Sequence, residues 1–173
     1  MKAIKIIFYL GVILIINTSF KELPTKDDFF IVVSKHAYTM SIYDADNNLI
    51  VTYPATFGNS DLSDKMFEGD RRTPEGEFHI AAKRVHPKWH RFLAIDYPNA
   101  ESYRKFYERK ANGEIPANAT IGGSIGIHGT WPEEDFAVEQ QQSWTQGCVS
   151  TKNTFVNEIY SQLPVGTKVI IEP

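Results

Sequence analysis

The chain has 173 residues, 42% of them hydrophobic and 13% aromatic, and its 18 basic and 21 acidic side chains leave a formal net charge of −3. That length supports one domain with a hydrophobic core and is short for two, and the apolar content excludes a disordered chain. The slightly acidic balance argues against a phosphate-driven nucleic-acid binder, which carries a basic face, so no nucleic-acid partner is expected.

Lys2 and Lys5 precede an uninterrupted apolar run from Ile6 to Ile16. The run has the length of a signal-peptide core and falls short of the roughly 20 residues needed to span a bilayer. Residues 1–22 therefore read as a signal peptide or N-terminal anchor, with 6–16 as the part that would hold a membrane. The protein is expected to be exported, to the periplasm or cell envelope. Residues 23–28 read as a polar linker and 29–173 as the folded domain.

Phe29 to Ser34 is β-rich and reads as a strand. Tyr38 to Asp44 alternates apolar and polar positions, the pattern of a half-buried strand. Asp46-Asn47-Asn48 is a turn, and Leu49 to Phe57 returns as the hairpin partner. Gly58 to Thr73 is polar and glycine-punctuated, hence a loop. Glu77 to Val85 and Phe92 to Tyr97 read as two further strands. Asn99 can cap a helix through Tyr103, Phe106, Tyr107 and Lys110 that stops at Gly113. Thr120 to Thr130 is glycine-rich and contains a strand ending at His128. Val156, Ile159, Tyr160 and Leu163 share one face of a helix over Thr154 to Leu163, with Asn153 as its N-cap. Lys168 to Glu172 closes the chain as a strand. The sum is a mainly β domain, a β-rich α+β fold with two or three short helices, rather than a βαβ fold.

The chemistry centres on two residues. Cys148 is the single cysteine, so an exported chain cannot bury it in an internal disulfide; the thiol reacts, pairs between chains, or serves as a small buried apolar residue. His128 lies in Ile-Gly-Ile-His-Gly-Thr, where Gly126 and Gly129 let the backbone approach another group closely. Gly147 before the thiol permits a tight turn and leaves room for main-chain N–H groups to face a substrate oxygen. An imidazole beside a thiol would lower its pKa from roughly 8.5 into the range of about 3.5–7.5 found for activated cysteines. The thiolate then attacks a carbonyl and the imidazolium protonates the leaving amine. Cys plus His alone does not specify an enzyme, because a lone histidine is more often structural and the chain has five.

At these residues the sequence resembles the L,D-transpeptidase (YkuD-type) family, whose signature is His-Gly followed by Ser/Thr-His-Gly-Cys. Here residues 129–144 separate His128 from Thr145-Gln146-Gly147-Cys148. Gly69-Asp70-Arg71-Arg72-Thr73-Pro74-Glu75-Gly76 is similar to the family's GD-x-x-TP-x-G segment. Ile95 to Asn99, Gly122 to Gly129 and Gly166 to Val169 match as well, so the similarity covers roughly residues 29–172 in the right order. Trp144-Thr145-x-Gly147-Cys148 is nearest the YafK-like murein L,D-transpeptidase branch. Two positions depart from the pattern. Gln146 stands where the family usually has His, and Ser150 where Arg often follows Gly-Cys-Val/Ile. Both are expected on the substrate-facing rim, where they put substrate and acceptor choice in doubt.

The resemblance implies a sandwich-like mixed β catalytic fold and a peptidoglycan-modifying cysteine acyltransferase that acts on stem peptides. Cys148 would be the nucleophile and His128 the base, with an amine or water accepting the acyl group. Gly147, Gln146, Thr145, Gly129 and Ser143 would form the oxyanion and substrate-binding rim. No metal and no organic cofactor are implied. Two alternatives stay open. One is an L,D-carboxypeptidase or endopeptidase-type hydrolase that trims peptidoglycan or detaches wall-linked protein. The other is a non-catalytic wall-binding module, which sluggish labelling of Cys148 near neutral pH would favour. His86 and His90 lie four apart, as in a helical zinc site, but Pro87 disfavours a helix there and no glutamate follows His86, so surface or packing roles are expected. Arg71, Arg72, Lys83 and Arg84 could attract peptide carboxylates or form a solvated rim.

Overall fold

The computed structural model describes residues 23–173, so the expected export segment lies outside the described residues. Eight strands and three helices follow in the order β1 (Phe29–Ser34), β2 (Thr39–Asp44), β3 (Leu49–Pro54), β4 (Gly76–His86), β5 (His90–Ile95), α1 (Ala100–Ala111), β6 (Gly126–His128), α2 (Phe136–Glu139), β7 (Val149–Ser150), α3 (Asn153–Gln162) and β8 (Lys168–Glu172). The strands form an open mixed sheet ordered β3-β2-β1-β8-β4-β5-β6-β7. Two neighbouring pairs are parallel, β1 with β8 and β6 with β7, and the others antiparallel.

The mainly β fold with three short helices is the one expected. The hairpin β2–β3 turns where the asparagines sit: Asp44 Oδ1 accepts from the N–H groups of Asp46 (3.0 Å) and Asn48 (2.8 Å), and Asn47 takes φ +64°. That is the local carboxylate turn that Asp and Asn favour. β4 joins the two wings of the sheet. Its residues Gly76 to His79 pair with β8, a bulge follows between Ile80 and Ala82, and the strand then pairs with β5. A bulge bends a strand and re-aims its side chains. One buried cluster takes Ile31, Met40 and Val169 from one wing, Leu93, Ile127 and Val149 from the other, and Val156 and Ile159 from α3.

Asn99 caps α1 as predicted, its side chain accepting from the Ser102 N–H at 3.0 Å. Asn153 does not cap α3. The helix begins at Asn153 itself, and the carboxylate of Asp135, from the loop before α2, accepts the Asn153 N–H at 3.1 Å. The same carboxylate oxygen accepts from the Thr130 hydroxyl. Asn153 instead turns its amide to Thr130 Oγ1 (3.1 Å), which holds the start of α3 against the segment after His128. α2 and β7 were not foreseen, because four- and two-residue elements are too short to show a period.

Candidate active site

The parallel pair β6–β7 brings the two chemical residues together. His128 stands opposite Ser150. Cys148 immediately precedes β7, so the pairing brings it to the same end of the sheet as His128. Both line one cleft of about 610 Å3. All three tryptophans of the chain, Trp89, Trp131 and Trp144, stand in its walls.

His128 is 1% exposed. Its Nδ1 lies 2.7 Å from the Gly129 carbonyl oxygen, which can only accept, so Nδ1 carries the proton and Nε2 is left as the basic nitrogen. Trp89 stacks on the imidazole at 4.7 Å, Phe92 lies nearly parallel to it at 5.9 Å, and Trp144 meets it edge-on at 5.3 Å. Burial among these rings pulls the His128 pKa down to about 4, only partly opposed by the Gly129 hydrogen bond.

The loop before Cys148 is built from its own side chains. Thr145 Oγ1 donates to the Cys148 carbonyl at 2.8 Å and accepts from the Gly147 N–H at 3.2 Å. Gly147 has φ +120°, and a Cβ there would lie 2.7 Å from the Arg72 carbonyl oxygen, so no other residue fits. Arg71 fastens the outer side of the loop, with Nε on the Thr145 carbonyl (3.3 Å) and Nη2 on that of Ser143 (3.2 Å). Beneath it, the buried Asp70 carboxylate pairs with Lys65 and accepts from the Met66, Phe67 and Arg72 N–H groups. Asp70 and Arg71 of the glycine-aspartate segment upstream of β4 thus support the loop.

Burial pushes the Cys148 thiol up to about 11. This corrects the expectation of a thiol lowered by its neighbouring imidazole. The thiol donates to the Ser124 carbonyl at 3.6 Å instead of bonding to the imidazole, and both groups rest uncharged. Slow labelling near neutral pH is therefore expected even of an active enzyme and no longer singles out a non-catalytic module.

The predicted rim divides. Thr145 and Gln146 line the cleft. Gly147 offers no free donor, because its N–H is spent on Thr145, whereas among the described residues nothing accepts from the Cys148 N–H. Gly129 positions His128 through its carbonyl and donates its own N–H to the Trp89 carbonyl at 3.1 Å. Ser143 stands outside the cleft lining, its carbonyl held by Arg71. Ser150 is not on the rim: it is fully buried, and its hydroxyl donates to the Gly129 carbonyl that orients His128 (3.4 Å).

Of the cationic candidates only Arg84 lines the cleft, with its guanidinium over the Phe92 ring at 4.4 Å. Arg72 pairs with Asp61, and Lys83 donates to the Leu163 carbonyl. His86 and His90 face each other across the β4–β5 hairpin. His86 also stacks on Trp89 at 4.2 Å and lines the cleft, a place the sequence did not suggest. The aromatic walls were equally unforeseen; their only sequence signal is that bulky rings interrupt polar loop segments.

A model of the L,D-transpeptidase catalytic domain, YkuD, matches residues 28–171. The chain belongs to this family. It is 26% identical over 154 residues to the Bacillus subtilis (strain 168) protein YqjB, itself named after the L,D-transpeptidases, a match that covers 87% of this chain and 74% of that one. The fold is shared with Bd1075 of Bdellovibrio bacteriovorus (TM-score 0.60, 20% identity, 84% of this chain and 48% of that chain). It is shared too with the helical cell shape determining protein Pgp2 of Campylobacter jejuni (0.60, 20%, 83% and 47%) and with an L,D-transpeptidase from Mycobacterium smegmatis (0.55, 13%, 84% and 59%). The chain spans about half the length of these solved chains.

Proposed function

We propose that the protein is a cysteine acyltransferase of the cell envelope that acts on peptidoglycan stem peptides through a Cys148 thioester. One observation carries this reading: an imidazole with its tautomer fixed by Gly129 shares an aromatic-walled cleft with the only thiol in the chain. Family membership supports the substrate class.

The resting pair is neutral, so the proton moves during attack rather than before it. The thiol leaves the Ser124 carbonyl and turns to His128 Nε2, a contact that apo enzymes often form only with substrate bound. As sulfur bonds to the donor carbonyl carbon, Nε2 takes the thiol proton. The Cys148 N–H, free of an acceptor among the described residues, donates to the developing oxyanion. The imidazolium then protonates the leaving amine, which departs and leaves the thioester. An amine or water attacks the thioester, gives its proton to Nε2, and the proton returns to sulfur as the thiol is released. The test is intact-mass analysis of the mature protein mixed with tetrapeptide muropeptides. An acyl adduct on the wild type, absent from Cys148→Ala, is expected, and turnover by Cys148→Ala would end the thioester reading.

Gln146 favours a second reading, a larger share of hydrolysis. It stands exposed in the cleft two residues before the nucleophile, where an amide donates and accepts hydrogen bonds but cannot exchange a proton near neutral pH. Water needs less positioning than a large amine, so transfer suffers more than hydrolysis. Gln146→His is expected to raise the ratio of cross-linked to hydrolysed product at equal donor consumption. An unchanged ratio removes the support for a hydrolase.

A further inference from the structure

The catalytic cleft does not end at Cys148. A second hollow of about 300 Å3 shares Gly123, Ile125 and Gln146 with it and continues to Glu68 and Gly122. The two ends carry opposite charge. On the cleft side stands Arg84, which has no carboxylate partner among the described residues and rests on the face of Phe92. On the far side stands Glu68, whose carboxylate accepts, among the described residues, only the Thr120 hydroxyl (2.5 Å). Lys65, the other charged group of that hollow, is buried and already paired with Asp70, so it does not offset Glu68.

The backbone and stem of Glu68 are also held in place. The Glu68 N–H donates to the Thr120 carbonyl at 2.8 Å, and Gly122, at φ +75°, packs so closely that a Cβ there would meet Glu68 Cβ at 3.0 Å. An exposed carboxylate at one end of a reactive cleft, with a cation at the other, distinguishes the two substrates by charge.

Resting on the acyltransferase reading, we infer that the hollow at Glu68 is the acceptor subsite, selecting an amine through its ammonium form, while Arg84 holds a carboxylate of the acyl donor. The acceptor arrives as R–NH3+, held by Glu68. It releases one proton to water and attacks the thioester as R–NH2. The C–N bond forms as the C–S bond breaks, and the second amine proton passes through His128 Nε2 to the Cys148 sulfur. Gln146, between the two hollows, stands where the incoming amine must pass.

The test uses the mature protein with a tetrapeptide muropeptide as donor and two nucleophiles at pH 8: lysinamide, which is cationic, and hydroxylamine, which is neutral. Glu68→Gln keeps the size of the side chain and an acceptor for Thr120. It is expected to raise the apparent KM for lysinamide by about fivefold to tenfold, the scale of one near-surface charge contact. The KM values for hydroxylamine and for the donor stay within about twofold, a pattern that a merely structural role for Glu68 would not give. Arg84→Gln is expected to raise the donor KM by a similar factor and to spare both nucleophiles. Equal shifts for the two nucleophiles, no shift for lysinamide, or a donor effect from Glu68→Gln overturn the assignment. Hydrolysis alone by the wild type, with both nucleophiles present, overturns it too while leaving the thioester intact. Turnover by Cys148→Ala would bring down the proposed function itself.

Discussion

His128 and Cys148 are shifted away from the ion pair by the same cause, loss of water around each. A base with its pKa near 4 stays unprotonated well into acid. The acid limb of kcat/KM is therefore expected near pH 4 to 5; half-loss near 6.5, where an ordinary histidine titrates, would contradict the burial argument. Labelling of Cys148 by iodoacetamide is expected to rise about tenfold per pH unit from 7 towards 11, because the thiolate fraction does so. Stability follows the same shifts. The unfolded chain takes up a proton near 6.5 that the buried ring refuses, so His128 costs stability as pH falls from 6.5 towards about 4. The unfolded thiol ionises near 9 and the folded one near 11, so Cys148 costs stability as pH rises through that window. His128→Ala is expected to lower turnover by about 10²–10⁴, the loss typical of a general base.

At the scale of elements, the site depends on two short parallel strands and the loops that lead into them. Gly147→Ala is expected to cost at least ~1–3 kcal/mol, since it forces a positive φ on a residue with a Cβ and drives that Cβ into the Arg72 carbonyl. Activity falls further than stability because the strained turn carries the nucleophile, and a variant with wild-type kcat/KM would contradict this. Asp135 joins three parts of the site, accepting from Thr130 after β6 and from the Asn153 N–H that opens α3. Asp135→Ala is expected to cost ~0.5–2 kcal/mol in denaturant unfolding, as loss of a helix cap does. The prediction fails if the midpoint does not move.

For the whole molecule, β4 is the member common to both wings. Phe78 on that strand is 1% exposed and packs edge-on against Tyr97 at 6.0 Å. Phe78→Ala is expected to cost ~3–5 kcal/mol, the range for deleting a buried phenyl ring. Because one core serves both wings, the loss should appear as a single unfolding transition, with tryptophan fluorescence from the cleft and far-UV signal coincident. Two separated transitions would show that the wings fold independently.

Short-range pattern determined much of this protein. The β-rich run Phe29 to Ser34, the alternation in Tyr38 to Asp44, the asparagine turn after it, the Asn99 cap and the closing strand Lys168 to Glu172 all follow from composition, period and turn chemistry, which neighbouring residues decide among themselves. His128 and Cys148 alone left the chemistry open; thiol acyl transfer followed from the resemblance of the segments around them to the L,D-transpeptidase signature, which is legible in the sequence because it is a short-range pattern. Tertiary structure alone decided the rest. Asn153 looked like a cap until Asp135, eighteen residues earlier in the chain, supplied the carboxylate, and Ser150 looked like rim until the β6–β7 pairing buried it beneath the base. The protonation state of the pair was out of reach for the same reason. A pKa is set by how much water remains around a group, and the rings that exclude it come from two separate stretches of chain, Trp89 and Phe92 at the β4–β5 hairpin and Trp144 in the loop before Cys148.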